Sequence, residues 1–161
     1  MAYFPVIRQH RPAYNLLQQH ISDVDASVKA AEQRIIQINS ELSTQKIIQK
    51  HCDSYRLCRK VIEDCKSAKN PKVYRIKHQA EYQLHDSLKK ELQDLGITKI
   101  PSSNKIQKQI ENLESEQTST VREKQELQKK LKTLEIIQQN FTALLNAPEI
   151  QIPVSGKEPT L

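Results

Sequence analysis

The chain has 161 residues, a formal net charge of +6, an aromatic content of 4%, two glycines and no tryptophan. Lys, Gln, Glu, Leu and Ile dominate, which is typical of long helices and coiled coils and leaves little material for a thick globular core. No apolar run is long enough to cross a bilayer and no secretory segment follows Met1, so we expect a cytoplasmic protein that makes no membrane contact.

Residues 1–21 predict an irregular N-terminal segment, since Pro5 and Pro12 interrupt it. Pro12 is suited to the first turn of a short helix carrying Tyr14 and Ile21. Ser22 begins a capping-box spacing, which makes residue 22 the alternative start of the first main helix.

The first main helix is predicted over residues 22–68 by apolar residues at alternating steps of three and four. The clearest part of this seam is Val24, Val28, Ala31, Ile35, Ile38 and Leu42. The alternation of steps of three and four continues to Cys65 only if two steps of three follow one another near Gln45. Such an irregularity, called a stammer, overwinds a coiled coil locally.

A second, shorter helix is predicted over residues 71–95. Asn70 is suited to cap it and Pro71 to occupy its first turn. Gly96 is well placed to end it in a left-handed conformation, after which Ile97 and Ile100 flank an extended connector over residues 96–102.

The third helix is predicted over residues 103–146, with Ser102 or Ser103 as its cap. Its seam is Ile106, Ile110, Leu113, Leu127, Leu131, Leu134, Phe141 and Leu145, widened by Val121, Ile137 and Leu144. Polar Gln117, Thr120 and Lys124 occupy inward positions in the middle and weaken it. A helix of about 43 residues is about 65 Å long at 1.5 Å per residue, so it needs a partner helix or a second copy of itself.

We therefore predict an all-α protein built as a long antiparallel helical hairpin, or coiled coil. In this hypothesis helix 22–68 pairs with helix 103–146, and the shorter helix packs near the tip. The helical domain spans residues 22–146, and residues 147–161, which contain three prolines, form a disordered tail. A homodimer remains an open alternative to a monomer.

The positive charge is concentrated in one stretch. Between residues 46 and 77 there are ten Lys or Arg against three Asp or Glu, a net charge of +7. These candidate nucleic-acid-binding residues are Lys46, Lys50, Arg56, Arg59, Lys60, Lys66, Lys69, Lys72, Arg75 and Lys77. They surround the predicted turn, where they could bind DNA phosphates without reading sequence. The competing interpretation is a solubilising helix face.

No pattern indicates catalysis, a cofactor or a metal. His78 and His85 are seven residues apart, too far along one helix to share a zinc ion, and a hydrogen bond between His85 and Glu81 is the simpler expectation. Cys58 and Cys65, about 10 Å apart on one helix face, are too distant for a disulfide. We expect buried structural cysteines and no enzymatic activity.

Residues 31–145 resemble the C-terminal helical region of mobilization relaxases from Gram-positive plasmids and conjugative transposons. The resemblance rests on short stretches with matching order and spacing. They are Ala31-Glu32-Gln33-Arg34 with Ile38, Val73-Tyr74-Arg75-Ile76-Lys77-His78-Gln79-Ala80-Glu81, Leu84-His85, Lys89-Lys90, Leu95-Gly96-Ile97-Thr98-Lys99-Ile100-Pro101 and Asn140-Phe141 with Leu144-Leu145. Nothing matches the tyrosine and metal-binding histidines of the family's nuclease domain, and residues 52–70 depart from the family pattern.

The resemblance implies a non-catalytic accessory module that binds weakly and non-specifically to DNA, or to partner proteins of a DNA-transfer complex. The alternative hypothesis is a purely structural coiled coil that dimerises or tethers. Salt-dependent DNA binding separates the two, because affinity carried by counterion release falls steeply with salt.

Overall fold

The computed structural model describes residues 4–147, with side chains from residue 10 onward. It contains four α-helices: α1 (Phe4–Ser67), α2 (Pro71–Lys77), α3 (Gln79–Asp94) and α4 (Ser103–Leu145). No strand occurs between residues 4 and 147, so the all-α prediction is confirmed. None of the helices in this range is long and apolar enough to span a membrane.

Residues 4–21 are helical and continuous with α1, so the irregular segment was wrongly predicted for residues 4–11, whereas the helix predicted to follow Pro12 is present. Pro12 lies inside the helix, where its missing N–H removes one backbone hydrogen bond. The lost hydrogen bond is offset because the helix half-buries Tyr14, Leu17 and Ile21. These residues extend the apolar seam of α1 toward the N-terminus with the same spacing. The predicted disordered tail lies, apart from Ala147, outside the described residues.

The predicted second helix is divided in two at His78. The His78 N–H donates to the Tyr74 carbonyl, which ends α2, and its carbonyl accepts from the N–H groups of Glu81 and Tyr82, which begins α3. At φ −109° and ψ 25°, His78 is not helical. Beyond the break, Leu88 and Leu92 are the buried residues of α3.

The predicted caps at Asn70 and Gly96 are confirmed, whereas Ser22, the predicted alternative start of the first helix, lies inside α1. Asn70 Oδ1 accepts from the Val73 N–H at 3.3 Å, and Pro71 occupies the first turn of α2. Gly96 has a φ of 80°, and the Ile97 N–H donates to the Leu92 carbonyl at 2.8 Å, which together close α3 in a Schellman motif. Of the two candidate caps for α4, Ser102 is the one whose Oγ accepts, from the Lys105 N–H.

The chain packs as two units. Unit 1 comprises residues 1–29 and 125–161, and unit 2 comprises residues 30–124. Unit 2 holds the main core cluster, to which α1, α3 and α4 all contribute: Ile38, Leu42, Ile48, Cys52, Leu92, Ile106 and Ile110. Ile97 and Ile100 of the connector pack against it.

Contacts between α1 and α4 within unit 2 follow opposite residue orders. Glu32 contacts Lys124, Arg34 contacts Glu116, Gln49 contacts Gln107 and Arg56 contacts Ser103. Rising numbers on α1 thus pair with falling numbers on α4, so the two segments are antiparallel in this unit.

Burial along α1 also shows the doubled step of three predicted near Gln45. Leu42 and Ile48 are buried and Gln45 is half-buried, so three inward positions follow one another at intervals of three. The helix is rotated there relative to a regular heptad, which directs Cys52 toward α3 and α4 in the core cluster.

Candidate nucleic-acid interface

The basic stretch surrounds the link between α1 and α2. Only residues 68–70 separate the end of α1 from the start of α2. Lys66, Lys69 and Lys72 therefore lie before, within and after this link. A compact turn capped by Asn70 holds three cations within a few residues, all of them exposed.

Of the ten predicted cations, nine have exposed side chains and Arg56 is half-buried. Two of the exposed ones make ion pairs. Lys46 Nζ lies 3.3 Å from Glu114 Oε1 on α4, and Arg59 Nε lies 3.0 Å from Glu63 Oε1 one turn along α1. Exposed pairs of this kind exchange easily for water or phosphate partners, because each contributes only about 0–1 kcal/mol.

Arg56 has a structural environment that differs from the other nine. Its Nη1 donates to Asp53 Oδ1 at 2.9 Å and to Ser103 Oγ at 2.7 Å, and its Nη2 donates to the Pro101 carbonyl. The guanidinium thereby ties the connector and the start of α4 to α1. A side chain so engaged is not available to a phosphate without releasing the connector.

Six lysines of the stretch have no carboxylate within 4.0 Å among residues 10–147. They are Lys50, Lys60, Lys66, Lys69, Lys72 and Lys77. We call these six the lysine cluster. Their charge is uncompensated at contact distance, which is the condition under which phosphate groups replace bound counterions.

Arg75 extends the positive surface along α2. Its guanidinium lies over the ring of Tyr82, 5.1 Å from the centroid. Together with Lys72 the two residues line an open groove of about 600 Å³, whose other lining residues are Ile76, Gln79, Gln83 and Asp86. The groove combines two cations with amide donors, and Asp86 is its one acidic residue.

Tyr82 also anchors α3 to the end of α1. A hydrogen bond to the Cys65 side chain is the main reason why the pKa of the Tyr82 phenol is raised, followed by desolvation. Cys65 Sγ in turn lies 3.6 Å from the Pro71 carbonyl, which it can reach as a donor. Cys52, Cys58 and Cys65 are all buried free thiols, as predicted.

The histidines pair differently from the prediction. Glu81 bonds to His78, at 3.1 Å, and not to His85, and this hydrogen bond is the main reason why the pKa of Glu81 is lowered. His78 lies three residues before Glu81, which is a spacing at which side chains meet on one face of a helix. His85 instead lies 3.2 Å from Asp86 and stacks on Tyr55 with ring centroids 4.7 Å apart.

His51 on α1 adds a link that the sequence does not indicate. Its Nε2 lies 3.2 Å from Glu91 Oε2 on α3, beside the core cluster. No group of three or more His, Cys, Asp or Glu side chains within the described part of the chain could hold a metal ion.

Two features of this surface, the Arg75–Tyr82 contact and the role of Arg56, were missed in the sequence. Arg75 and Tyr82 are seven residues apart, about two helical turns, with the break at His78 between them, so their spacing alone does not predict a contact. In the sequence, Arg56 is one of ten similar cations, and nothing distinguishes it from the other nine. Its role depends on where the connector returns to α1.

Comparisons with protein-family models, with curated proteins and with solved structures find no match. The observations that bear on function are therefore the lysine cluster, the Arg75 groove and the packing around them.

Proposed function

We propose that unit 2 is a non-catalytic DNA-binding module that contacts phosphates through the lysine cluster and Arg75. The observation that carries this proposal is the uncompensated charge: six exposed lysines of one stretch without a carboxylate at contact distance in the described chain, of which Lys66, Lys69 and Lys72 lie at one short turn. Backbone phosphates are the regularly spaced anions that such a surface fits.

The composition of the surface favours non-specific binding. Specific reading of bases requires side chains that enter a groove and present bidentate hydrogen bonds to base edges. The lysine cluster consists of point charges on flexible stems, which bind phosphates but do not distinguish bases. If about four cations contact phosphates together, log affinity should fall with log salt at a slope of about −3 to −4 on duplex DNA.

The biological setting that we propose comes from the family resemblance of residues 31–145. The chain would act as an accessory arm of plasmid mobilization, comparable to the C-terminal helical region of a relaxase without its nuclease domain. It would contact DNA, or partner proteins of the transfer complex, in the cytoplasm. Arg75 and Lys77, which lie in the stretch that carries the resemblance, also belong to the proposed phosphate-binding surface.

For the architecture we propose a long antiparallel hairpin whose arms are α1 and α4. The antiparallel contacts of Arg34 with Glu116 and of Arg56 with Ser103 support this in unit 2. The ring stacking of Tyr14 on Phe141, with centroids 5.7 Å apart, supports pairing of the same two helices in unit 1. Spin labels at His20 and Glu135 should report a short distance within one chain, and a long one would contradict the hairpin.

The DNA-binding proposal is tested by charge reversal at two matched sets of lysines. The test variant carries Lys60→Glu, Lys69→Glu and Lys72→Glu, and the control carries Lys129→Glu, Lys130→Glu and Lys132→Glu. Both change the net charge by the same amount, but only the first set belongs to the lysine cluster. Affinity for a labelled duplex is measured by fluorescence anisotropy from low to physiological salt, and helicity is checked by circular dichroism.

We expect the test variant to lose at least about tenfold in affinity and to show a shallower salt slope. The control should bind nearly as wild type does. Equal losses would mean that the whole positive charge acts diffusely. No detectable binding by the wild-type chain at low salt would overturn the proposal and favour the structural coiled coil.

A further inference from the structure

Among the described residues, unit 1 has a helix face that is only partly covered. Along α4 in this unit, the seam residues Leu127, Leu131, Leu134, Phe141 and Leu145 are all half-buried. In unit 2 the same seam contains Ile106 and Ile110, which are buried. The part of the α4 seam in unit 1 therefore keeps apolar surface in contact with water, although its side chains are at least as large as those of Ile106 and Ile110.

Two further apolar residues lie at the edge of this seam. Ile137 and Leu144 directly precede the seam positions Gln138 and Leu145, are seven residues apart, and are 46% and 76% exposed. With Ile137 and Leu144, the apolar stripe of α4 occupies three positions of the seven-residue repeat here, whereas the seam alone occupies two. Two-stranded coiled coils bury two positions in seven, whereas bundles of three or four helices bury about three.

The surroundings of this stripe are poor in charge. Within residues 10–29 and 125–147, unit 1 has five Lys or Arg against four Asp or Glu, a net charge of +1, whereas unit 2 has 18 against 13, a net charge of +5. On α1, the residues directly before the seam residues Tyr14, Ile21 and Val28 are Ala13, His20 and Ser27. All three are exposed, and none carries a permanent charge. The exposed lysines of α4 in this unit, Lys129, Lys130 and Lys132, precede Ile137 along the helix.

We propose that the partly covered face of unit 1 binds the same face of a second copy of this chain, giving a bundle of four helical segments. A second copy fits because a neutral apolar stripe is self-complementary without charge repulsion, as an isologous dimer requires. The basic surface of unit 2 would repel its own copy, so it is excluded as the dimer contact. Ile137 and Leu144 would be the central contact residues.

The proposal predicts that the full chain is a dimer in sedimentation equilibrium at micromolar concentration. The test variant carries Ile137→Glu and Leu144→Glu. Its control carries Leu57→Glu and Ile76→Glu in unit 2, at residues that are 69% and 74% exposed. We expect the dissociation constant of the test variant to rise at least about tenfold, because each added carboxylate would be buried without a partner. The control should dissociate as wild type does.

A milder variant separates loss of the dimer from loss of folding. Ile137→Gln with Leu144→Gln removes the apolar side chains without adding charge and should also weaken the dimer, while circular dichroism reports whether α4 remains helical. A wild-type chain that is monomeric up to about 100 µM would overturn the proposal. So would equal weakening by the test and control variants.

Salt dependence separates this proposal from the one for DNA. An apolar dimer contact should hold or strengthen as sodium sulfate is added, whereas DNA binding should weaken as salt rises. A dimer that dissociates in high salt would mean that charge, and not the apolar face, holds the copies together. Either proposal can thus fail while the other stands.

Discussion

The two units use the same helical seam with different results. In unit 2 the seam residues of α1 and α4 enclose a core with Leu92 of α3, and Ile38, Leu92 and Ile106 are at most 1% exposed. In unit 1 the α4 seam remains half-buried. A heptad pattern alone therefore does not decide burial. The difference lies in α3 and the connector, whose apolar residues cover the seam from a third side in unit 2.

Replacing leucines at three levels of burial should give the largest contrast. Leu92→Ala leaves a cavity in the core cluster and should lower the free energy of unfolding by about 2–5 kcal/mol. Leu131→Ala in unit 1 should cost less, about 1–2 kcal/mol, because part of its side chain is already hydrated. Leu57→Ala, at a residue that is 69% exposed, should change stability by about 0.5 kcal/mol or less.

These differences are measured by urea unfolding in dilute solution, where a dimer does not contribute. If Leu131→Ala cost as much as Leu92→Ala, the seam of unit 1 would be as well covered as that of unit 2. The contrast between the units would then be lost.

Removing the Arg56 clamp should have the next largest effect. Arg56→Ala breaks hydrogen bonds to Asp53, Ser103 and the Pro101 carbonyl, and should cost about 1–3 kcal/mol. Arg59→Ala is the matched control, since Arg59 only pairs with exposed Glu63 and should cost about 0–1 kcal/mol. Hydrogen exchange of residues 97–106 should accelerate in Arg56→Ala alone. Equal acceleration in both variants would contradict the clamp.

The polar middle of α4 should respond to apolar replacement. Gln117, predicted as an inward polar position, is half-buried and donates to Asn39 on α1. Replacing both residues by Leu exchanges this pair for apolar contact and should raise stability by about 1 kcal/mol. Gln117→Leu alone should give less, since Asn39 then loses its partner. The thermal melts of the two single variants and the double variant measure the coupling, and a net loss in the double variant would speak against the inward position.

Acidification should remove the contribution of a cross-helix ion pair. The hydrogen bond from Arg34, with Nε–Oε1 at 2.7 Å, holds the pKa of Glu116 below its ordinary value near 4.5. A depressed carboxyl pKa stabilises the folded state above that ordinary value, and this stabilisation is lost as the pH falls through it toward the folded-state pKa.

The difference in melting temperature between wild type and Glu116→Gln should therefore be small at pH 7 and should shrink as the pH falls below the ordinary value of 4.5. Glu123→Gln serves as the control, because it removes the same charge from a residue with no ion pair among those described. If the wild-type advantage did not shrink on acidification, the pair would not be its source.

Sequence determined the features that depend on neighbouring residues. The seam of α4, the cap at Asn70, the left-handed Gly96 and the doubled step at Gln45 all follow from local spacing and backbone preference. Each needs only a few residues of context. For the same reason the sequence located the basic stretch, since charge density is read directly from composition.

Tertiary structure decided the features that depend on distant partners. Helix α1 continues through Pro12 because burial of later seam residues such as Tyr14 compensates for one missing hydrogen bond. The break at His78 divides the predicted second helix into α2 and α3, and only α3 carries buried residues, Leu88 and Leu92. Arg56 differs from the other nine cations because the connector returns to α1 beside it. Such choices are made by long-range packing, in which the free energy of burying apolar surface exceeds the preference of any single residue.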